Sequence, residues 1–343
     1  MTRINEEIMR VASIVVVSML LAPGFAGAAD DLSPAALRAA AQKGLDLLEK
    51  TSPTFVKKGG CNSCHSQMLP AAAQAFARSH GVPTGETLVQ LPPEMSEATT
   101  ERYVEYAIGG GAGVTALSFE MFASALAGHP ADARLRAKIY FIKGMQQTAG
   151  NWRGGGGSRP PLTFDDFTTT AFMIHALNTY AAPAEAADTT ARIDRARAWL
   201  LHATPQRTQE RAFQVLGLAW SHADRSAIEA AVRGLQALQR ADGGWSQLAA
   251  LDADAYATGI ALYAMYEARV PVTHDTYRAG LKYLLSTQAS DGTWHVKTRA
   301  LPFQPYFESG YPYGHDQWIS AAAAAYATLA ISAAVEPAQI AGR

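Results

Sequence analysis

The chain has 343 residues, of which 48% are hydrophobic and 17% are charged, so it can form one large folded domain with a sizeable core. Its formal net charge is only −1, and no stripe of basic residues interleaved with aromatic residues occurs. These features exclude a typical nucleic-acid-binding surface, and the composition is not that of a disordered chain.

The N-terminal 28 residues have the pattern of a cleaved secretory signal peptide. Arg3 and Arg10 flank a short charged region, residues 11–21 form an apolar stretch too short to span a bilayer, and residues 26–28 read Ala-Gly-Ala, as at a signal-peptidase site. We therefore expect residues 29–343 to form one domain in the periplasm, without a transmembrane anchor. An uncleaved anchor is the alternative.

Both cysteines of the chain belong to the pentapeptide Cys61-Asn62-Ser63-Cys64-His65. Two thiols at this spacing, followed directly by a histidine, are the attachment signature of a c-type haem, in which the imidazole binds the iron. A local disulfide, a thiol redox pair and half of a zinc site are the alternatives, although no second cysteine pair exists to complete a zinc site. The sequence predicts one covalent haem c, held in a loop of about residues 55–95.

A repeat of the form Gln-x-x-x-Gly-x-Trp occurs three times, at residues 146–152, 239–245 and 288–294. Each copy follows an amphipathic segment of helical periodicity and precedes an alanine-rich one. This arrangement predicts a helix, a turn and a second helix, with glycine at a positive φ, glutamine bonded to carbonyls at the end of the first helix, and tryptophan packed between hairpins.

These repeats resemble those of the squalene–hopene cyclase and protein prenyltransferase superfamily, over about residues 35–335. The resemblance implies an all-α fold, an α/α toroid of about six helical hairpins, for which an open solenoid is the alternative. The second helices of the hairpins are expected to be buried and to begin near Ser66, Val114, Phe167, Gln209, Asp254 and Gln317.

The resemblance also directs attention to two acids. In class II terpenoid cyclases, the stretch that corresponds to residues 252–255 ends in Asp-x-Asp-Asp, and its middle acid protonates the substrate. Asp252 and Asp254 match the first two acids as candidate catalytic residues, but Ala255 replaces the third. By comparison with prenyltransferases, Asp252, Asp254 and His315 could bind a metal, whereas helix capping is the alternative.

In a toroid the starts of all inner helices surround one mouth, so the haem is expected there. His65 is the predicted proximal ligand of the iron, His315 is the first candidate for the distal ligand and Met95 is the second; an open sixth position on the iron is the alternative. Arg153 and Arg159 are candidates for pairing with the haem propionates. Five aromatic residues of the C-terminal loop could line an apolar pocket: Phe303, Tyr306, Phe307, Tyr311 and Tyr313.

Three functions are compatible with these features. The first hypothesis is a periplasmic electron-transfer protein with a redox partner, because covalent haem is usually a redox group. The second is a haem-dependent peroxidase or oxygenase that acts on an isoprenoid or another apolar small molecule. The third is a cyclase-like protein that binds an isoprenoid.

Overall fold

The computed structural model describes residues 31–59, 63–86, 88, 113–154, 159–163, 165–302 and 305–335. The predicted signal peptide, Cys61 and Met95 lie outside these ranges. The described residues form eleven α-helices and no strand, as predicted for an all-α protein. The helices are α1 (Pro34–Gly59), α2 (Leu69–Ser79), α3 (Gly113–Leu126), α4 (Ala133–Gly144), α5 (Asp166–Tyr180), α6 (Ala186–His202), α7 (Thr208–Trp220), α8 (Arg225–Gln236), α9 (Ala255–Glu267), α10 (Asp275–Thr287) and α11 (Gln317–Ala333).

Six of the helices form a closed inner ring. Helix α2 packs against α3, and the contacts continue from α3 to α5, α7, α9 and α11, which returns to α2. This last contact excludes the open solenoid. Helices α1, α4, α6, α8 and α10 pack on the outside of the ring. Every predicted start of an inner helix lies within three residues of the observed one.

The inner helices are mainly buried and the outer helices are amphipathic, which explains the two layers. All residues of α11 except Trp318 are buried, and alanine predominates in it. In α8, by contrast, only Ile228, Val232 and Leu235 are buried, at the spacing of one helix face. Small residues on the inner helices allow the ring to close tightly.

The three Gln-x-x-x-Gly-x-Trp repeats adopt one geometry. Each glycine has a positive φ, of 103°, 88° and 90° in chain order, as predicted. The tryptophan indole nitrogens donate to carbonyls near the ends of the preceding outer helices, at 2.7–2.9 Å. The glutamines make different bonds from those predicted. Each donates to the carbonyl of its own glycine and to a carbonyl in the next outer helix.

The glutamine bonds therefore connect neighbouring hairpins and also join the two ends of the chain. Nε2 of Gln288, which follows α10, lies 3.0 Å from the carbonyl oxygen of Ala40 in α1. The side-chain amide of each repeat glutamine donates both to the turn glycine and to the next outer helix. The repeat therefore fixes the spacing between neighbouring hairpins as well as the conformation of the turn.

The inner helices run parallel, with their starts at one mouth of the ring. Gln209 and Tyr256 are the second residues of α7 and α9. At this mouth the Tyr256 hydroxyl donates a hydrogen bond to Oε1 of Gln209 at 2.5 Å. At the other end, Nε2 of His80 at the end of α2 lies 3.1 Å from the hydroxyl of Tyr266 in α9. We call these ends the N-terminal mouth and the C-terminal mouth.

Aromatic side chains fill the middle of the ring. Phe122 of α3 and Tyr263 of α9 lie on opposite sides of the ring, and their ring centroids are 6.1 Å apart. Phe76 contacts Tyr263 at 5.5 Å, and Phe172 contacts Phe122 at 4.6 Å. This packing closes the ring between its two mouths. None of the described helices combines the length and apolar character needed to span a bilayer.

Candidate functional site

A π-helical turn, Cys64–Met68, precedes α2 and places His65 at the N-terminal mouth. The side chain of Ser63 caps this turn, and the Ser63 backbone N–H donates to Oε1 of Gln67 at 2.7 Å. Nε2 of Gln67 donates to the carbonyl of Ser52 in α1 at 2.9 Å. These bonds tie the turn to the outer helix, so the fold holds His65 in one position.

A cavity of about 380 Å³, which we call the rim cavity, opens beside this turn. Its volume is within the range of small-molecule and cofactor sites. The wall is mostly apolar, with a few polar groups. It is lined by Phe55, His65, Ser66, Arg159, Thr298, Ala300, Leu301, Pro302, Pro305, Tyr306, Phe307, Ser309, His315, Gln317 and Trp318.

His65 forms the inner wall of the rim cavity and is only 3% exposed. Its ring packs edge-on against Phe55 at 5.4 Å and against Trp318 at 5.7 Å. Nη1 of Arg159 lies 3.0 Å from both ring nitrogens. Burial, with the positive charge of Arg159, holds the pKa of His65 well below its usual value. The imidazole is therefore neutral, which is the form that binds a metal.

His315 lines the same rim cavity from the turn that precedes α11. It is exposed, and its ring lies against that of Tyr306 with centroids 4.4 Å apart. The fold thus brings together His65, His315 and Arg159, three of the residues predicted from the sequence. Arg153 is exposed and does not line the cavity.

Cys64 directly precedes His65 but is not among the residues that line the rim cavity; it is half-buried, and burial raises the pKa of its thiol to about 12. Cys61, the other predicted attachment residue, and Met95, the second distal candidate, lie outside the described residues. Both assignments stay predictions.

Asp254 has the geometry of a helix cap. Its Oδ1 accepts from the backbone N–H of Ala257 at 2.8 Å, and its Oδ2 accepts from Gln247 at 2.9 Å. Burial raises the pKa of Asp254 to about 6. Asp252, its predicted partner, is exposed. The structure therefore favours the capping interpretation of Asp254.

Asp165 repeats this arrangement at the start of α5. Its carboxylate accepts from the backbone N–H of Thr168 and from Nε2 of Gln209, both at 2.7 Å. Burial raises the pKa of Asp165 to about 6 as well. In the described part of the chain, no three side chains of His, Cys, Asp or Glu converge as a metal-binding group. This counts against a metal held by Asp252, Asp254 and His315.

The predicted aromatic residues divide between two roles. Tyr306 and Phe307 line the rim cavity as expected. Tyr311 is instead buried, and the Tyr313 hydroxyl lies 2.5 Å from that of Thr293, so both serve loop packing. Phe303 lies outside the described residues.

The sequence-based prediction missed Phe55 and Leu301 on the cavity wall. Phe55 belongs to the outer helix α1, and its contact with His65 depends on how α1 returns against the turn. Leu301 is 80% exposed on the lip of the cavity. An apolar residue in a long loop is a weak signal, because only the folded structure shows what it borders.

No known protein-family model matches the sequence, and no curated protein matches it significantly. Among solved structures, the chain is similar to a protein from Actinoplanes, with a TM-score of 0.53, 14% identity and coverage of 87% of this chain and 99% of the other. At this identity the likeness shows the fold alone.

Similarity to two other solved structures is lower. A type II terpene cyclase from Scytonema, in complex with geranylgeranyl dihydroxybenzoate, has a TM-score of 0.48 and 13% identity, with coverage of 84% of this chain and 98% of the other. An ent-copalyl diphosphate synthase from Streptomyces platensis has a TM-score of 0.46 and 18% identity, with coverage of 79% and 51%.

Proposed function

We propose that this chain is an exported mono-haem c-type protein on a terpene-cyclase-like fold, and that it transfers electrons in the periplasm. The observation that carries the proposal is the position of His65 and His315 on one cavity, beside Cys64 of the attachment motif. His65 would be the proximal ligand of the iron and His315 the distal ligand, while Cys61 and Cys64 would supply the thioether links. The bound haem would supply a one-electron redox centre.

The residues of the rim cavity fit such a group in three respects. His65 is neutral, buried and fixed by the hydrogen-bonded turn, as a metal ligand needs to be. The wall offers apolar surface from Phe55, Phe307 and Leu301 for a porphyrin. Arg159 lies on the cavity wall, where a guanidinium can pair with a propionate.

A haem-dependent enzyme that oxidises an apolar small molecule is the second candidate. Leu301, Pro302 and Pro305 form an apolar lip at the cavity, and such a lip suits an isoprenoid or a similar substrate. The third candidate, a cyclase-like isoprenoid-binding protein, is supported by the fold. The aromatic packing between Phe122 and Tyr263 counts against it, because this packing fills the middle of the ring.

The decisive experiment is expression of the full chain in a bacterial host with a c-type haem maturation system. We expect a haem-staining band on a denaturing gel for the wild type, and loss of the stain for Cys61→Ala and for Cys64→Ala. Ser63→Ala, which keeps the spacing of the thiols, should retain the stain. A wild-type protein without covalent haem would contradict the proposal and favour the cyclase-like candidate.

Absorption spectra with and without carbon monoxide then separate the two haem functions. A low-spin haem that does not bind carbon monoxide indicates two protein ligands and supports electron transfer. A high-spin haem that binds carbon monoxide rapidly indicates an open position on the iron. That result would contradict the electron-transfer function and favour the haem-dependent enzyme.

A further inference from the structure

A second cavity, of about 570 Å³, opens at the C-terminal mouth, on the opposite side of the aromatic packing from the rim cavity. Three consecutive inner helices contribute its inner wall: His175 comes from α5, Trp220 from α7 and Glu267 from α9. His222, Arg225 and Arg269 lie at its edge. None of these residues has a part in the proposed haem site.

The inner wall of the cavity is built around the ring of His175. Nδ1 of His175 is inaccessible to solvent and has no hydrogen bond to any described residue. The imidazole packs edge-on against Trp220 at 4.7 Å, and the Trp220 indole nitrogen donates to Oε2 of Glu267 at 2.8 Å. His175, Trp220 and Glu267 thus form one packed group on the inner wall of the cavity.

The edge of the cavity carries residues with an unusual backbone conformation. The chain leaves four inner helices through a residue with a left-handed backbone and a pair of closing hydrogen bonds. At α2 and α3 these residues are Gly81 and Gly128, with φ of 75° and 70°. At α7 and α9 they are His222 and Arg269, with φ of 53° and 64°.

Glycine is the residue that adopts this conformation without steric cost, and it is the usual helix C-cap. Two of the three non-glycine residues with a positive φ in the described ranges, His222 and Arg269, lie at this cavity, and the third is Tyr313. Strained non-glycine residues are concentrated at functional sites, where the side chain is used. The side chains that the strain brings to the cavity are an imidazole and a guanidinium, which both donate to anions.

The neighbouring charges fit an anion at this edge. Arg225 adds a second guanidinium at the edge, where its Nη1 donates to the carbonyl of Ala268 at 2.9 Å and its Nε donates to Oε1 of Glu229 at 2.8 Å. The one acid on the cavity wall, Glu267, lies on the inner side, where Trp220 donates to it. Because Arg225 is already paired with Glu229, an anion at the edge would meet Arg269 and His222 first.

We propose that the second cavity binds a small organic anion, a carboxylate or a phosphate, through His222 and Arg269. The body of the ligand lies against Trp220 and the accessible edge of the His175 ring. This site is independent of haem attachment.

The test uses the full-length purified protein, with inorganic phosphate and citrate as probes in isothermal titration calorimetry. We expect saturable binding of at least one probe, and at least tenfold weaker binding in Arg269→Gly and in His222→Gly. Both substitutions also relieve a left-handed backbone, so these variants should unfold at higher urea concentrations than the wild type. A purely structural role of the two residues predicts the same gain in stability without any effect on binding.

Arg233→Gln is the matched control, because Arg233 is an exposed arginine of α8 outside the cavity. It should leave binding unchanged. The imidazole resonances of His175 should shift when the probe saturates the protein. The proposal is wrong if neither probe binds at millimolar concentration, if the glycine variants bind as the wild type does, or if the His175 resonances do not move.

Discussion

Nη1 of Arg159 lies 3.0 Å from each of the two ring nitrogens of His65. A guanidinium can only donate, so this contact requires an imidazole nitrogen that accepts. The same nitrogen is needed by a metal. If haem binds as proposed, Arg159 would have to turn away from His65 and would then be available to a propionate at the cavity wall.

The first prediction concerns the reduction potential of the proposed haem. A cation near the iron favours the reduced state, so Arg159→Gln should lower the potential. The expected change is about 40 mV, which corresponds to about 1 kcal/mol for one electron. Arg153→Gln is the control, because Arg153 is exposed and lies outside the cavity. A spectroelectrochemical titration measures both variants. Equal shifts of the reduction potential in the two variants would show that Arg159 affects the iron no more than an exposed arginine outside the cavity does.

The second prediction concerns His315. If His315 is the distal ligand, His315→Ala should convert a low-spin spectrum to a high-spin one and should allow carbon monoxide to bind. His295→Ala is the matched control, since His295 is exposed on the neighbouring loop and bonds Asp316 at 2.8 Å without lining the cavity. A low-spin spectrum that survives His315→Ala removes this residue and leaves Met95 as the candidate.

The sequence was sufficient for the ring of helices because each repeat contains its own turn chemistry. Gly243, for example, has the positive φ predicted from its place in the repeat, and Trp245 is fully buried. The position of His315 beside His65 was also predictable, because both precede inner helices of a toroid. Such inferences need only the order of the elements and the chirality of the backbone.

The remaining parts of the site depend on packing that sequence patterns do not contain. Phe55 contacts His65 from an outer helix, and Leu301 lies exposed at the lip. Arg159 and Arg153 are equivalent in the sequence, since both flank the same glycine-rich segment. Only the folded loop places Arg159 on the cavity wall and leaves Arg153 exposed.

The third prediction concerns closure of the ring at Gly259. A Cβ atom at this position would lie 2.6 Å from the backbone nitrogen of Ala327 in α11, so α9 and α11 could not keep their present distance. Gly259→Ala should lower the free energy of unfolding by about 1–3 kcal/mol. At Gly144, the last residue of α4, a Cβ atom meets nothing within 4 Å. Gly144→Ala should therefore be neutral or stabilising in the same urea titration, and equal losses in both variants would exclude the close approach as the cause.

The fourth prediction concerns the pH dependence of the free energy of unfolding that is caused by the carboxyl group of Asp165. Burial raises the pKa of this carboxyl to about 6, above its ordinary value of 3.8. Between about pH 4 and pH 6 the folded state therefore holds a proton that the unfolded state has lost, so this group makes the protein less stable as the pH rises. The contribution is about 1.4 kcal/mol for each unit of pKa difference.

Asp165→Asn removes this titration, so the stability of the variant relative to the wild type should increase from pH 4 to pH 7. Urea titrations at several pH values measure the difference. Asp252→Asn is the control, because Asp252 is exposed, and it should show no such trend. A constant difference between wild type and Asp165→Asn would show that the pKa is not raised.

The fifth prediction separates a capping role of Asp254 from an acid catalyst. Its carboxylate accepts from the Ala257 backbone N–H and from Gln247, and Ala255 stands where cyclases carry a third acid. Asp254→Ala should therefore cost about 0.5–2 kcal/mol of stability, as the loss of an N-cap does. Covalent haem should be retained, because Asp254 does not line the rim cavity.

Incubation with squalene or a shorter polyprenyl substrate, followed by mass spectrometry, tests the catalytic alternative directly. We expect no cyclic product from the wild-type protein, because protonation of an alkene needs a much stronger acid than a carboxyl whose pKa burial has raised to about 6. The aromatic contact between Phe122 and Tyr263 also fills the middle of the ring, where a long substrate would have to fold. A cyclic product that disappears in Asp254→Asn, while the fold is retained, would reverse this conclusion and make Asp254 the catalytic acid.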